Sequence, residues 1–357
     1  MIRNFYKSNR LTKEKNYPLI KDKTKINFLK KKMIALEKNE VIVSTLTKFN
    51  GDSLNIENIT NFSNPPFEHN KSVGFLIHKK YITPCEDYYY FNDLKKYENR
   101  FNVSPNRKDD SFVGEWSFDC IGTGIVITSR HILTPLHVVK STIIDDLTLS
   151  NYVFIIDCQI DEVNKNKILG DKIIKLEKII LKPNFLNKNE INDICIIRTS
   201  EEINKDRIAK ICLNDFKNFE YKNLYALGYP LGLAMKKSIG KRTFHTKSDE
   251  NFFYAFLNTY EKNSGSPVFM DKKKGFVGLI LEAGFGEDFI EDEENKGFKK
   301  KLRYSIAKND FEGGTKVLKI EKIINRISQL INNPLHSNLS KLDNYLINLF
   351  TNQIQIL

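Results

Sequence analysis

From Val73 onward the chain is a succession of short apolar runs separated by turn-forming residues: VGFLI, GIVIT, YVFII, KIIKLEKIIL, DICIIR, LYALGY, FFYAFL, SPVFM and GFVGLIL. Many short, β-branched and aromatic runs at roughly even spacing predict a mainly β chain folded as an antiparallel barrel or sandwich. They do not suit a βαβ sheet, in which strands alternate with helices. With 357 residues, 41% of them hydrophobic, the chain can fill the core of one large or two modest domains.

The ends read differently. Val317, Leu318, Ile320, Ile323, Ile324, Ile327, Leu330 and Ile331 recur at helical spacing, and after Pro334 a second amphipathic pattern runs from Leu339 to Ile354. Two helices packed on the β body are expected. Residues 1–70 are rich in Lys and Asn and read as an appended extension, with a short helix around Ile26 to Lys38 and a strand in VIVSTLT. The expected organisation is therefore a basic extension over 1–70, a β domain over 71–332 in two halves (71–205 and 206–315), and a C-terminal helix within 333–357. VGFLIHKKYITP (73–84) and TGIVITSRHILTP (123–135) are similar enough to suggest two strand-turn-strand units.

The net charge is +12, but the first 50 residues hold 13 Lys/Arg against four Asp/Glu, so +9 belongs to that segment. A basic run is usually solvated surface, and nucleic acid is not expected as the main partner. No apolar run is long enough to span a bilayer, so no membrane role is expected. No secretory signal is visible, which points to the cytoplasm. The five cysteines are an odd number without close pairs, fitting neither a disulfide framework nor a CxxC zinc site. Buried reduced thiols, no metal and no cofactor are expected. A dinucleotide fingerprint fails at Ile127, where the third glycine belongs, and a phosphate loop fails because Arg242 follows Gly240-Lys241.

Three segments carry the candidate chemistry. GTGIVITSRHILTPLHVV (122–139) is a strand, a turn, a second strand and then His137. NDICIIR sets Asp193 at the mouth of an apolar strand, and NSGSPVF sets Ser264 in a tight turn before another. Each alone is ordinary turn chemistry. Together they supply what nucleophilic catalysis needs. A serine hydroxyl is a poor nucleophile until an imidazole takes its proton, and that imidazole needs a carboxylate to hold its tautomer and stabilise its charge.

These segments resemble the trypsin/chymotrypsin-like serine peptidases, most closely the bacterial glutamyl-endopeptidase-like branch with its G-N-S-G-S-P-V-F nucleophile motif. The run LYALGYPLGLAMKKS (224–238) is similar to a signature that bacterial members carry between aspartate and serine. The resemblance covers about residues 73–330. It implies a chymotrypsin-like double antiparallel β-barrel and an endopeptidase acting on protein or peptide substrates through an acyl-enzyme. By carry-over His137 is the base, Asp193 its orienter and Ser264 the nucleophile, with the backbone N–H groups of Lys262 and Ser264 as the oxyanion hole. The substrate side chain and backbone are expected to meet Asn258, Thr259, Ile280, Leu281 and Glu282.

Several positions depart from the family. Lys262 replaces a glycine, and its β-carbon is expected to penalise the conformation that aims its N–H, so that Lys262→Gly raises activity. The reading that competes with catalysis is a protease-fold binding module that has lost activity through Lys262. Cys120 stands where many animal members have a half-cystine, but Val138 follows the histidine and no such bridge can form. Asn263 lacks the charge for an ion pair with a newly cut N-terminus. Ile280 stands where glutamyl-specific relatives place a histidine, which does not support glutamate specificity. Glu282, Glu287, Asp288 and Glu291 to Glu294 form an acidic stretch opposite in sign to the N-terminal segment; the ordinary reading of that segment is a disordered or partner-binding tail unrelated to the cleft, and the competing one is a pseudosubstrate lying across it.

Overall fold

The computed structural model describes residues 56–58, 69–106, 110–140, 146–181, 193–211, 223–242, 251–270, 275–282, 289–290, 301–302, 315–332 and 340–352. The chain divides into two compact units, Met1–Ser53 and Leu54–Leu357, and all the described residues lie in the second. The expected helix at 26–38, the strand in 41–47, Cys212, the acids from Glu287 to Glu294 and the pseudosubstrate contact lie outside the described residues.

Among the described residues, thirteen strands form the two large sheets. They are β1 (Ile56–Asn58), β2 (Val73–His78), β3 (Gly122–Thr128), β4 (His131–Thr134), β5 (Tyr152–Ile156), β6 (Ile173–Leu181), β7 (Cys195–Thr199), β8 (Asn223–Gly228), β9 (Lys236–Arg242), β10 (Phe252–Phe256), β11 (Pro267–Met270), β12 (Phe276–Glu282) and β13 (Thr315–Lys319). A closed antiparallel barrel runs β6-β7-β4-β3-β2-β5 and back to β6. A seven-stranded antiparallel sheet runs β1-β9-β8-β11-β12-β13-β10, and pairing of β9 with β10 curls it into a second barrel. The expected chymotrypsin-like double barrel is the architecture observed. β1, inside the stretch expected to be an appended extension, pairs with β9 in the register Ile56 to Ser238.

Burial on both faces of β2, β3, β4, β5, β11 and β12 explains why these runs are apolar nearly throughout. Along β5, Tyr152, Phe154 and Ile156 join a cluster drawn from every strand of the first barrel, which is its interior. Val153 and Ile155 face the other way, into a cluster shared with Leu227, Phe269 and Leu279 of the second. A separate cluster of Leu224, Phe253, Val268, Val277, Ile280 and Val317 fills the second barrel.

The similarity of 73–84 to 123–135 is local. β2 and β3 pair with each other, but Ile82–Cys85 leaves the barrel to form a small sheet with Tyr88–Phe91, whereas β4 stays in it. Three helices matter below: α1 (Leu136–Lys140), α2 (Ile320–Ile331) and α3 (Lys341–Asn352). α2 starts three residues later than the hydrophobic spacing suggests, because Val317 and Leu318 finish β13. None of the described helices is long and apolar enough to cross a membrane.

Candidate active site

Strand register brings His137 and Asp193 to one end of the first barrel. Cys195 of β7 pairs with Thr134 of β4, so Asp193, just before β7, meets α1, just after β4. Leu136, Val138 and Val139 are buried, and the face they fix leaves the His137 side chain 44% exposed. Asp193 holds that residue at two points: Oδ2 lies 2.6 Å from His137 Nδ1, and Oδ1 accepts the His137 backbone N–H at 2.8 Å. An ionised carboxylate only accepts, so Nδ1 carries the proton and Nε2 presents a lone pair.

Ser264 sits in the turn between β10 and β11. Its carbonyl accepts the Thr123 N–H at 2.9 Å, tying the turn to β3. Gly265 has φ +90°, and a β-carbon there would fall 1.9 Å from the Thr123 carbonyl oxygen and 2.8 Å from Pro135, so only glycine lets the turn come this close to the histidine segment. The register shift between Ile280 and Glu282 frees the Leu281 carbonyl from the ladder, and the Ser264 hydroxyl donates to it at 3.1 Å. Among the described residues no hydrogen bond joins Ser264 to His137.

Backbone N–H groups of the turn fall into two sets. Those of Asn263, Gly265 and Ser266 donate to the carbonyls of Tyr260, Ile280 and Asn263. Those of Lys262 and Ser264 donate to no group among the described residues. Lys262 lies at φ +75°, the left-handed region that favours glycine. Its ammonium pairs with Glu261 at 3.1 Å. Burial works against that charge, but Glu261, Cys120 and Asp119 outweigh it and raise the Lys262 pKa.

The expected substrate-contacting residues separate. Asn258 and Thr259 are buried and line a small cavity with Gly228, Lys236, Ser238 and Asn263, and Ser264 is not part of its wall. Thr259 Oγ1 is 2.6 Å from Thr315 Oγ1. The Lys236 ammonium pairs with Glu115. Burial lowers its pKa, and the glutamate opposes that shift. Ile280, Leu281 and Glu282 instead follow Ser264 along β12, the first two buried and Glu282 exposed. Among the described residues no group of His, Cys, Asp and Glu could hold a metal ion.

Residues 122–279 match the trypsin-like peptidase domain. That span contains every expected catalytic residue and ends inside β12. No curated protein matches the chain by sequence. Among solved structures, it is similar to neuropsin, a serine protease expressed in the limbic system of mouse brain, at 13% identity and a TM-score of 0.44, over 74% of this chain and 96% of that one.

The place facing Val138 belongs to Gly122, not Cys120. A β-carbon on Gly122 would lie 2.6 Å from Val138 Cγ1. Cys120 is buried two residues earlier, and burial pushes its thiol up to about 12. Cys158 and Cys195 are also buried and outside any disulfide, and Cys85 is exposed.

Sequence reasoning missed Thr123 and Leu231. The Thr123 hydroxyl donates to the Lys262 carbonyl at 2.8 Å, and the Leu231 N–H donates to the Glu261 carbonyl at 2.7 Å. Both lie in segments picked out for other reasons, GTG and LYALGYPLGLAMKKS. A hydroxyl between two close-packing glycines was the signal available.

Proposed function

We propose that the protein is a serine endopeptidase in which His137 is the general base, Asp193 its orienter and Ser264 the nucleophile. The observation that carries this reading is the two-point hold of Asp193 on His137, which leaves Nε2 as the one proton acceptor of an exposed imidazole. Asp193 also stabilises the imidazolium once it forms.

The Ser264 hydroxyl turns from the Leu281 carbonyl toward Nε2, as catalytic contacts commonly tighten only when substrate is bound. Oγ attacks the scissile carbonyl carbon while Nε2 takes its proton. The carbonyl oxygen becomes an oxyanion, and the N–H groups of Lys262 and Ser264, unspent on the fold, are the donors to receive it. Collapse breaks the C–N bond, and His137 returns the proton to the leaving amine. Water then enters by the same route and hydrolyses the acyl-enzyme.

The substrate is a protein or peptide whose backbone lies along the end of β12, at Leu281 and Glu282. Asn258 and Thr259 are uncharged, and nothing in this reading selects an acidic side chain. A fluorophosphonate probe tests the proposal. Labelling that maps to Ser264 and disappears in His137→Ala supports it, whereas an unlabelled protein points to the inactive binding module.

A further inference from the structure

Lys262 occupies a conformation that costs an ordinary L-residue on the order of 1 kcal/mol, so something must hold it there. Two hydrogen bonds do, one on each peptide unit flanking its Cα. The Leu231 N–H takes the Glu261 carbonyl at 2.7 Å, and the Thr123 hydroxyl takes the Lys262 carbonyl at 2.8 Å. A trans peptide is planar with its C=O and N–H opposed, so fixing the Glu261 carbonyl toward Leu231 sends the Lys262 N–H the other way.

Both clamps are themselves anchored. Thr123 lies in β3, fully buried, its carbonyl accepting the Thr134 hydroxyl and its N–H donating to Ser264. Leu231, at φ +56°, has its carbonyl held by the buried Ser117 hydroxyl at 2.8 Å, and the neighbouring Gly232 carbonyl accepts the Phe118 N–H at 2.8 Å. This assigns a task to LYALGYPLGLAMKKS, which the catalytic reading leaves without one.

We propose that Thr123, through its hydroxyl, and Leu231, through its amide, are positioning groups that lock the peptide units around Lys262 and so preset the first oxyanion donor. The inference rests on the catalytic reading above and adds the residues that aim it. Without the hydroxyl clamp, Lys262 can relax to negative φ and carry its N–H out of line.

The test is Thr123→Val, which keeps the volume and removes the hydroxyl, measured on a small peptide with Ser264→Ala alongside. The expected result is a kcat lower by about ten- to a hundredfold with KM within about threefold, since a misaimed donor is lost mainly to the transition state. Thr123→Ser restores kcat. Adding Lys262→Gly to Thr123→Val recovers about fivefold, because glycine holds positive φ without the strain. A merely structural threonine predicts neither the serine rescue nor the gain from glycine. If Thr123→Val does not fold, Ser117→Ala carries the same test through the Leu231 loop, with a fall in kcat expected. An unchanged kcat in the folded hydroxyl-loss variant, or no gain from the added glycine, overturns the inference while Ser264→Ala remains inactive. Full activity in Ser264→Ala overturns the catalytic reading instead.

Discussion

His131 Nε2 lies 3.1 Å from Asp343 Oδ1, and both side chains are fully buried. The partners are 212 residues apart and join the first barrel to α3. Thr128 Oγ1 is 2.7 Å from His131 Nδ1, so hydroxyl, imidazole and carboxylate follow one another as in a catalytic triad, but with no access for substrate. Asp343 also takes Arg198 at 3.1 Å and the Ser340 hydroxyl at 2.6 Å. Burial lowers the His131 pKa to about 4 against the carboxylate, with Arg198 and Arg130 adding to the fall. The imidazole is therefore neutral at pH 7, donating from Nε2 and accepting from Thr128.

That pair predicts an acid-sensitive fold. The unfolded chain binds a proton at His131 near pH 6.5 and the folded chain only near 4, so its contribution is present above 6.5 and lost as pH falls toward 4. The loss is on the order of 3 kcal/mol. Asp343 acts in the same direction at lower pH. Burial alone would raise its pKa, but Ser340, His131 and Arg198 together hold it below the usual carboxylate range. Denaturant unfolding between pH 7 and 4 should show stability falling in the parent and a slope shallower by about one proton in His131→Gln. Identical slopes would remove His131 as the cause.

The proposed triad makes a kinetic prediction. Ser264→Ala and His137→Ala should each lower kcat by on the order of 10⁴- to 10⁶-fold, and the double variant should be little worse than either. Both residues lie in turns or on an exposed face, so melting temperatures should stay close to the parent. Losses that add in the double variant would show that the two side chains do not act as a unit.

Lys262→Gly should first be felt in stability. The positive φ is already adopted, so glycine releases about 1 kcal/mol of strain, partly offset by an ion pair to Glu261 worth at most about as much. A net gain of about 0.5 kcal/mol is expected in denaturant unfolding. A loss would mean that the ion pair outweighs the strain.

What could be seen in the sequence was local. His137, Asp193 and Ser264 each sit in a short segment whose turn and strand residues announce themselves, the short apolar runs pointed to an antiparallel barrel or sandwich, and the family resemblance of those segments supplied the double barrel. What stayed hidden depends on barrel closure. Asp343 looks like an ordinary first-turn acid until α3 packs on β3. Nothing near Asn258 says that it lines a cavity without Ser264 in its wall. The positive φ of Lys262 is imposed by Thr123 and Leu231, whose distance along the chain no local pattern records. Gly122 shows the same limit most simply, because its partner Val138 is fixed only once β3 and α1 pack together.

That last contact supports a prediction of its own. Val138 follows the proposed base, and both its Cγ atoms would lie within 3.0 Å of a β-carbon on Gly122, at 2.6 and 2.9 Å. Real β-carbons do not approach so closely, so Gly122→Ala must push α1 outward and carry His137 with it. Overpacking of this kind costs about 1–3 kcal/mol. An ångström-scale shift of the base should also lower kcat, by up to about a hundredfold. Val138→Ala in the same chain removes the clashing methyls, while the Val138 Cβ that remains is 3.3 Å from the new one, a tight contact that small movements absorb. The double variant should therefore recover both melting temperature and kcat relative to Gly122→Ala, although Val138→Ala alone destabilises by opening space. Such a sign reversal between the single and double backgrounds, read by thermal unfolding and steady-state kinetics, is the expected outcome. Additive losses would show that the two residues do not share one packing site beside His137.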